Sequence, residues 1–337
     1  MGIQSLYERL LEPSQPLIEA MAQLEGDIVI LGVGGKMGPS LAKLARRAAD
    51  IAGKGKNIIG VARFSEPGLM DELQRLGIEA VKADLLNDAE LQRLPSAPNV
   101  LYLAGTKFGT TGKEAFTWAM NSYLPGRVAE KYKGSRIVVF STGNVYPLVD
   151  ATSNGAREHQ LPQPVGEYAQ SCLGRERVFQ YFSQLHQTPV LIYRLNYAVD
   201  VTYGVLTDIA LAVRSKQPID LRMGYVNVIW QQYANEIALR SLLHCSVPAK
   251  ILNVTGTEKL SVRQLAMEFG KIFHQDPIFI NEEQPTALLS DASEARSLFG
   301  EPSVSVRQMI EVIAGWIHEG GRLLNKPTHF QEREGKF

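Results

Sequence analysis

The 337-residue sequence predicts an α/β fold built on a doubly wound, mostly parallel β-sheet. Short apolar segments alternate with longer amphipathic segments from residue 27 onward, which is the pattern of consecutive βαβ units. Parallel strands in such units need right-handed crossover helices, so we expect helices on both faces of the sheet. A glycine-rich turn also follows the first apolar segment. The predicted strands are residues 28–31, 57–61, 80–81, 100–103, 136–140 and 190–193, and the predicted helices between them are residues 39–49, 113–132 and 168–185.

The alternation loosens after about residue 197, where we expect a smaller C-terminal α/β lobe that completes a cleft over the carboxyl edge of the sheet. Residues before 26 predict one or two short helices, and their acidic residues argue against a signal peptide. The strands predicted in the lobe are residues 227–229 and 251–254, and its helices are residues 231–244, 261–273 and 304–319.

The composition excludes several classes of protein. Lys plus Arg equals Asp plus Glu at 35 each, so no net charge recruits nucleic acid or an anionic membrane. No apolar run approaches the roughly 20 residues that span a bilayer. Only two cysteines occur, Cys172 and Cys245, which favours a reducing cytoplasm over a disulfide framework. The six histidines and two cysteines show no metal-ligand spacing, so no metal is expected.

The glycine-rich turn reads "GVGGKMG" at residues 32–38, and it follows a strand and opens a helix. Its glycines would let backbone N–H groups approach a pyrophosphate, and the helix N-terminus adds about half a positive charge. The alternative is a plain connection between strand and helix. The turn therefore predicts a dinucleotide-binding site at Gly32, Gly35, Lys36, Met37 and Gly38. The predicted domains are an N-terminal helical extension at residues 1–25, an NAD(P)-binding Rossmann domain at 26–200 and a smaller substrate-binding lobe at 201–337. We expect the lobe to be fused to the Rossmann domain, with interleaved segments.

The end of the second strand bears on the choice between NADP and NAD. An NAD site usually has a carboxylate here that binds the ribose hydroxyls, but this chain has Arg63, with Ser65 close by. A guanidinium can make a bidentate bond to a 2′-phosphate. NADP is therefore the predicted cofactor, with NAD as the alternative, and the competing interpretation of Arg63 is a solvated surface residue.

Several further motifs appear in order along the chain. They are "KADLLN" at residues 82–87, "LYLAGTKFG" at 101–109, "TWAMNSYLPG" at 117–126, "VVFSTGNVYP" at 138–147 and "LIYRLNYAVD" at 191–200. With the glycine turn, they make residues 27–320 similar to an extended short-chain dehydrogenase/reductase of the NAD-dependent epimerase/dehydratase family, although an atypical one.

The resemblance implies roles for particular residues. It places Thr142 at the catalytic Ser/Thr position and Tyr168 at the catalytic tyrosine, which also contacts the cofactor. The implied cofactor contacts are Asp84, Leu85, Ala104, Gly105, Thr106, Asn121, Leu195 and Asn196. Four positions have a structural alternative. It is a helix cap for Asp84, a buried polar group in a helix for Asn121, a simple strand residue for Thr142, and core packing for Tyr146 of the "VVFSTGNVYP" motif.

The chain departs from the family at the Tyr-x-x-x-Lys motif, because "EYAQSC" places Cys172 where the lysine belongs. The lysine's charge normally makes the tyrosine phenolate available, and a free tyrosine is only about one part in a thousand ionised at pH 7. Arg175, near the same helix face, is one substitute for that charge; its alternative is a solvated helix arginine. Cys172 is expected to be a small buried hydrophobe rather than a nucleophile.

Two functions remain open at this point. The first is an NAD(P)-dependent oxidoreductase or epimerase that acts on a sugar, a nucleotide sugar or another small hydroxyl or carbonyl compound. The second is a non-catalytic NADP-binding sensor or scaffold, which the loss of the lysine allows. The predicted partners are a small-molecule substrate and, by analogy with the family, a second copy in a homodimer. Candidate substrate contacts are Arg157, His159, Tyr203 and Trp230.

Overall fold

The computed structural model describes residues 2–107 and 112–336, so Met1 and Phe337, at the ends of the predicted extension and lobe, lie outside it. The helices are α1 (Ile3–Arg9), α2 (Gln15–Gln23), α3 (Gly38–Ile51), α4 (Leu69–Arg75), α5 (Asp88–Arg93), α6 (Glu114–Trp118), α7 (Leu124–Lys131), α8 (Gly166–His186), α9 (Val205–Arg214), α10 (Gln231–Arg240), α11 (Val262–Phe273), α12 (Ser293–Phe299) and α13 (Val306–His318). The strands are β1 (Ile28–Leu31), β2 (Ile58–Ala62), β3 (Glu79–Lys82), β4 (Asn99–Tyr102), β5 (Arg136–Thr142), β6 (Val149–Asp150), β7 (Val190–Leu195), β8 (Ala198–Val199), β9 (Pro218–Asp220), β10 (Tyr225–Val226), β11 (Ile229–Trp230), β12 (Lys250–Val254), β13 (Leu260–Ser261), β14 (Ile278–Ile280) and β15 (Thr286–Ala287).

Seven strands form one parallel sheet in the order β12-β7-β5-β4-β1-β2-β3. The chain moves outward from β1 to β3 and then crosses to the other side of β1 at β4, which creates a switch point between β1 and β4. In β1, Ile28 and Ile30 pack into one core with α3 and α10, whereas Val29 and Leu31 pack into a second core with α5, α7 and α8. Helices therefore cover both faces, and the predicted doubly wound α/β fold is confirmed.

The helix predicted over residues 113–132 is interrupted in the structure. A π-helical turn at Ala119–Tyr123 separates α6 from α7. Pro125, in the first turn of α7, has no N–H to donate, so the α-helical ladder loses a hydrogen bond there. Such turns commonly occur at functional positions, and this one contains Asn121.

In the C-terminal part of the chain, where the smaller lobe is predicted, α9, α11 and α13 pack against one another. One of its segments joins the large sheet, because β12 pairs with β7 at the sheet edge. The domain boundaries at residues 25 and 200 stay a prediction. In the described ranges, 2–107 and 112–336, no helix has the length and apolar character that crossing a membrane requires.

Candidate active site

The glycine turn lies at the switch point, where β1 ends and α3 begins. Gly32 has a φ of +92°, and a Cβ there would lie 2.7 Å from the backbone nitrogen of Ala104. A Cβ at Gly38 would overlap the carbonyl group of Val33. Gly35 differs, because its Cβ would meet only the carbonyl oxygen of Gly32, at 3.4 Å. The fold thus needs Gly32 and Gly38, whereas Gly35 leaves open space before the N-terminus of α3, which suits a pyrophosphate.

We expect Gly35→Val to weaken NAD(H) and NADP(H) binding alike, by about tenfold or more (~1.4 kcal/mol). The valine would occupy the space that the pyrophosphate needs, whichever ribose the cofactor carries. Titration calorimetry measures the affinities, and circular dichroism confirms the fold. Gly55→Val is the matched control, because a Cβ at Gly55 meets no atom within 4 Å. Normal cofactor binding by Gly35→Val would show that the turn is only a connection.

A cavity of about 220 Å³ extends from the turn across the ends of β2, β3 and β4. Arg63 lies at its mouth and is exposed, so its guanidinium is accessible to a bound ligand. The lining includes the predicted residues Gly32, Gly35, Arg63, Asp84, Leu85, Ala104 and Gly105. These residues come from four separate strand ends, and the parallel sheet brings them together.

Asp84 is part of a local turn rather than the cap of the next helix. Its Oδ1 accepts a hydrogen bond from the backbone N–H of Leu86 at 3.0 Å. Helix α5 is capped instead by Asn87, whose side chain accepts from the N–H groups of Ala89 and Glu90. The helix-cap alternative for Asp84 is therefore wrong.

The second and larger of these two cavities, of about 340 Å³, continues from the turn to the ends of β5 and β7. It is called the larger cavity below. Thr142 ends β5 and Tyr168 lies in the first turn of α8, and both side chains line this cavity. The Oγ1 of Thr142 also accepts from the side-chain amide of Asn144 at 2.9 Å. The lining includes the predicted residues Gly32, Gly35, Lys36, Met37, Gly38, Gly105, Thr142, Tyr168, Leu195 and Asn196. The two residues expected to do chemistry therefore share one cavity with the turn.

Two of the predicted cofactor residues support the cavity wall from behind. Asn121 is completely buried. Its side-chain amide donates to the backbone oxygen of Thr106 at 2.9 Å, and its Oδ1 accepts from the Thr106 N–H at 3.0 Å. Asn121 also donates to Ser171 in α8 at 3.0 Å. The buried-polar-group alternative describes Asn121 correctly, and we infer that it fixes the backbone of Thr106 beside the cleft.

Arg175 is buried, so its interpretation as a solvated helix arginine is wrong. Only 6% of its surface is exposed. Its Nη1 donates to the backbone oxygen of Phe140 at 2.7 Å and its Nη2 to Oδ1 of Asn121 at 2.7 Å. A Cβ at Gly105 would clash with Nη2. Arg175 therefore ties α8 to β5 and to the π-helical turn, and the missing side chain of Gly105 makes room for it.

Cys172 packs inside the protein and has no exposed surface. Burial raises the pKa of its thiol above the usual value, so the neutral thiol is favoured. This agrees with the prediction of a small buried hydrophobe. Burial also raises the pKa of Tyr168 above that of a free tyrosine, while Arg175 and the hydrogen bond from Thr142 act in the opposite direction.

The cavity also contains residues that the sequence did not point to. Lys107 lines it three positions after Ala104, within the motif that supplied the predicted contacts. Thr328 reaches it from the C-terminal segment and is held there by Asp208, which accepts from its N–H at 2.8 Å and from its hydroxyl at 2.6 Å. The presence of a lysine within that motif could have identified Lys107 as a candidate, whereas no feature of the local sequence identifies Thr328.

One of the four predicted substrate contacts lines the larger cavity, and the other three do not. Tyr203 lines the larger cavity, with Nζ of Lys36 3.7 Å from its ring centroid. Trp230 is fully buried in the core, Arg157 and His159 are exposed, and none of these three lines that cavity. Among the residues that the structure describes, no group of three or more His, Cys, Asp and Glu side chains is arranged to hold a metal ion.

Comparison with solved structures finds the same fold in several epimerases. An epimerase from Methanothermobacter thermautotrophicus has 19% identity and a TM-score of 0.73, with 92% of this chain and 97% of that chain covered. UDP-glucuronic acid 4-epimerase from Bacillus cereus, solved with NAD, has 17% identity and a TM-score of 0.71, over 87% and 96%. UDP-glucose 4-epimerase from Thermotoga maritima, solved with UDP-glucose, has 15% identity and a TM-score of 0.69, over 87% and 99%.

No curated protein sequence matches the chain. A family profile does match, over residues 28–199, which is more than half of the chain and includes the turn, Thr142 and Tyr168. The family is one of enzymes of the short-chain dehydrogenase/reductase type. The chain belongs to the NAD dependent epimerase/dehydratase family.

Proposed function

We propose that the protein is an NAD(P)-dependent oxidoreductase or epimerase that acts on a sugar, a nucleotide sugar or a similar small hydroxyl or carbonyl compound. The observation that carries this proposal is the placement of Thr142 and Tyr168 in one cavity with the glycine turn. This cavity and the one at Arg63 share Gly32, Gly35 and Gly105, so one extended dinucleotide could reach both.

Each residue has a definite part in this chemistry. Oxidation of a substrate hydroxyl removes a proton from oxygen and a hydride from carbon. Tyr168 takes the proton as general base and returns it in the reverse step, and Thr142 donates a hydrogen bond to the substrate oxygen. The nicotinamide, when bound, supplies hydride chemistry. For an epimerase, hydride would return to the opposite face of a transient carbonyl, and the same two residues would exchange the proton and hydrogen bond at its oxygen.

The substrate class follows from the family and from the structural relatives that bind UDP-sugars. We also propose that the protein works in the cytoplasm and forms a homodimer. The test combines the protein with NADP⁺ or NAD⁺ and with sugars, nucleotide sugars or simple carbonyls. Nicotinamide absorbance and proton NMR then detect reduction and epimerisation, and we expect turnover with at least one of these compounds.

For the cofactor, we expect tighter binding of NADP(H) than of NAD(H), and we expect Arg63→Ala to remove this preference. A bidentate bond to the 2′-phosphate contributes about 1.5–3 kcal/mol, which is about a tenfold or larger change in affinity. Titration calorimetry with both cofactors measures it. Arg93→Ala, at the end of α5, is a matched control, because Arg93 is exposed and lines neither cavity. Equal affinities for the two cofactors in the wild-type protein would contradict the assignment of Arg63.

The alternative function is a cofactor-binding sensor or scaffold without turnover. Two observations favour it: Cys172 is buried in the place of the motif lysine, and the pKa of Tyr168 is raised. This alternative predicts normal cofactor binding with no turnover at any pH. The same substrate screen therefore separates the two functions.

A further inference from the structure

Lys107 brings an ammonium group to Tyr168 from outside the helix that carries the tyrosine. It lies just beyond β4, and its Nζ is 5.6 Å from the centroid of the Tyr168 ring. Both side chains, together with Thr142, line the larger cavity. The chain thus has a lysine beside its catalytic tyrosine although position 172 is a cysteine.

Other groups near Tyr168 also affect the charge on its phenol. Both terminal nitrogens of Arg175 donate hydrogen bonds, to Phe140 and Asn121, although its charge still acts on the phenol. Cys172 is favoured as a neutral thiol. Lys36, across the cavity, lies close enough to Lys107 for the two charges to repel. Lys107 is a cation whose Nζ lies 5.6 Å from the centroid of the tyrosine ring, and it lines the cavity where substrate would lie.

We propose that Lys107 is the positioning residue that takes the part of the missing motif lysine, placing its positive charge against Tyr168 from the end of β4. This inference rests on the proposed function, since it concerns the group that makes Tyr168 a usable base. A cation within about 4–6 Å of an acid stabilises the ionised form by roughly 1–3 pKa units.

The electrostatics of the pair explain how both groups can work while buried. Burial lowers the pKa of Lys107 to about 8 and raises that of Tyr168, because each charge alone is poorly solvated. A phenolate beside an ammonium is a neutral pair, so each charge compensates the other. We expect the phenolate of Tyr168 to form only while Lys107 keeps its proton, so the two groups should titrate together.

The test measures the ionisation of Tyr168 itself, so it needs no substrate. The phenolate absorbance of the protein with bound oxidised cofactor is followed against pH, and the spectrum of the same protein carrying Tyr168→Phe is subtracted. We expect Lys107→Met and Lys107→Gln to raise the apparent pKa of Tyr168 by about 1–3 units. Lys107→Arg keeps a permanent charge and should leave it within about one unit of wild type.

Lys113→Met is the matched control, because Lys113 is exposed at the start of α6 and its loss changes net charge by the same amount. We expect it to leave the Tyr168 titration unchanged. The glutamine variant keeps hydrogen-bonding capacity without charge, so it still tests the proposal where the methionine variant does not fold. An unchanged titration in a folded Lys107→Met or Lys107→Gln protein would overturn the proposal. Absence of turnover would contradict the proposed function, but would leave this titration as a separate result.

Discussion

Tyr168→Phe should lower kcat/KM for hydride transfer by about 10²–10⁴-fold, because the ring remains while the group that exchanges the proton is lost. Tyr168 and Thr142 both line the larger cavity, so phenylalanine should fit at position 168 without moving Thr142. Cofactor affinity should change far less than the rate. Steady-state kinetics in the oxidation direction, with calorimetry for cofactor binding, measure the two effects separately.

The same mechanism predicts in which direction the rate of oxidation changes with pH. Oxidation needs the deprotonated base, and burial raises the pKa of Tyr168, so the rate should rise with pH through neutrality. Cys172→Lys would add a cation on the same helix face and should move this profile down by roughly 1–3 units. A flat profile together with an active Tyr168→Phe enzyme would remove Tyr168 from the mechanism.

The sequence predicted the parts of the site that depend on local pattern. The glycine turn follows a strand and opens a helix, and its geometry depends on residues within a few positions of one another. Thr142 ends a strand and Tyr168 begins a helix, and both positions follow from the order of elements. In a parallel sheet those strand ends meet at one edge, so the order of elements alone predicts where the cleft lies.

The sequence did not predict contacts that depend on packing between distant segments. The burial of Arg175 requires Gly105 to have no side chain and Asn121 to face the same space, and no helical periodicity contains that information. Lys107 lies beyond the end of β4, where apolar spacing gives no orientation for a side chain. Thr328 comes from a segment without regular structure that is held by Asp208.

A buried ion pair near the proposed catalytic residues is expected to have a large effect on stability. Glu176 of α8 and Arg194 of β7 are 0% and 1% exposed, and their closest atoms lie 2.6 Å apart. Glu176 also accepts from Ser141, the neighbour of Thr142, at 2.5 Å. Arg194 donates to the hydroxyl of Tyr146 at 2.6 Å, which confirms that Tyr146 belongs to the interior. This network holds α8 against the ends of β5 and β7.

Glu176→Leu should destabilise the protein by about 3–5 kcal/mol, because it leaves the Arg194 guanidinium buried without its counter-charge. Urea unfolding followed by circular dichroism measures the loss, provided that the midpoint shifts without a change in slope. Breaking the pair from the other side with Arg194→Met should cost a similar amount, since it strands the carboxylate instead.

The double variant Glu176→Leu with Arg194→Met separates the cost of a stranded charge from the worth of the pair. Replacing both ions removes the uncompensated charge, so the double variant should be much more stable than either single variant and close to wild type. Equal and additive losses in the two single variants would instead mean that the ions contribute independently of each other. The double variant also removes the carboxylate that accepts from Ser141, so its turnover should still be lower than that of wild type. This result would show that the ion pair holds Thr142 in position as well as stabilising the fold.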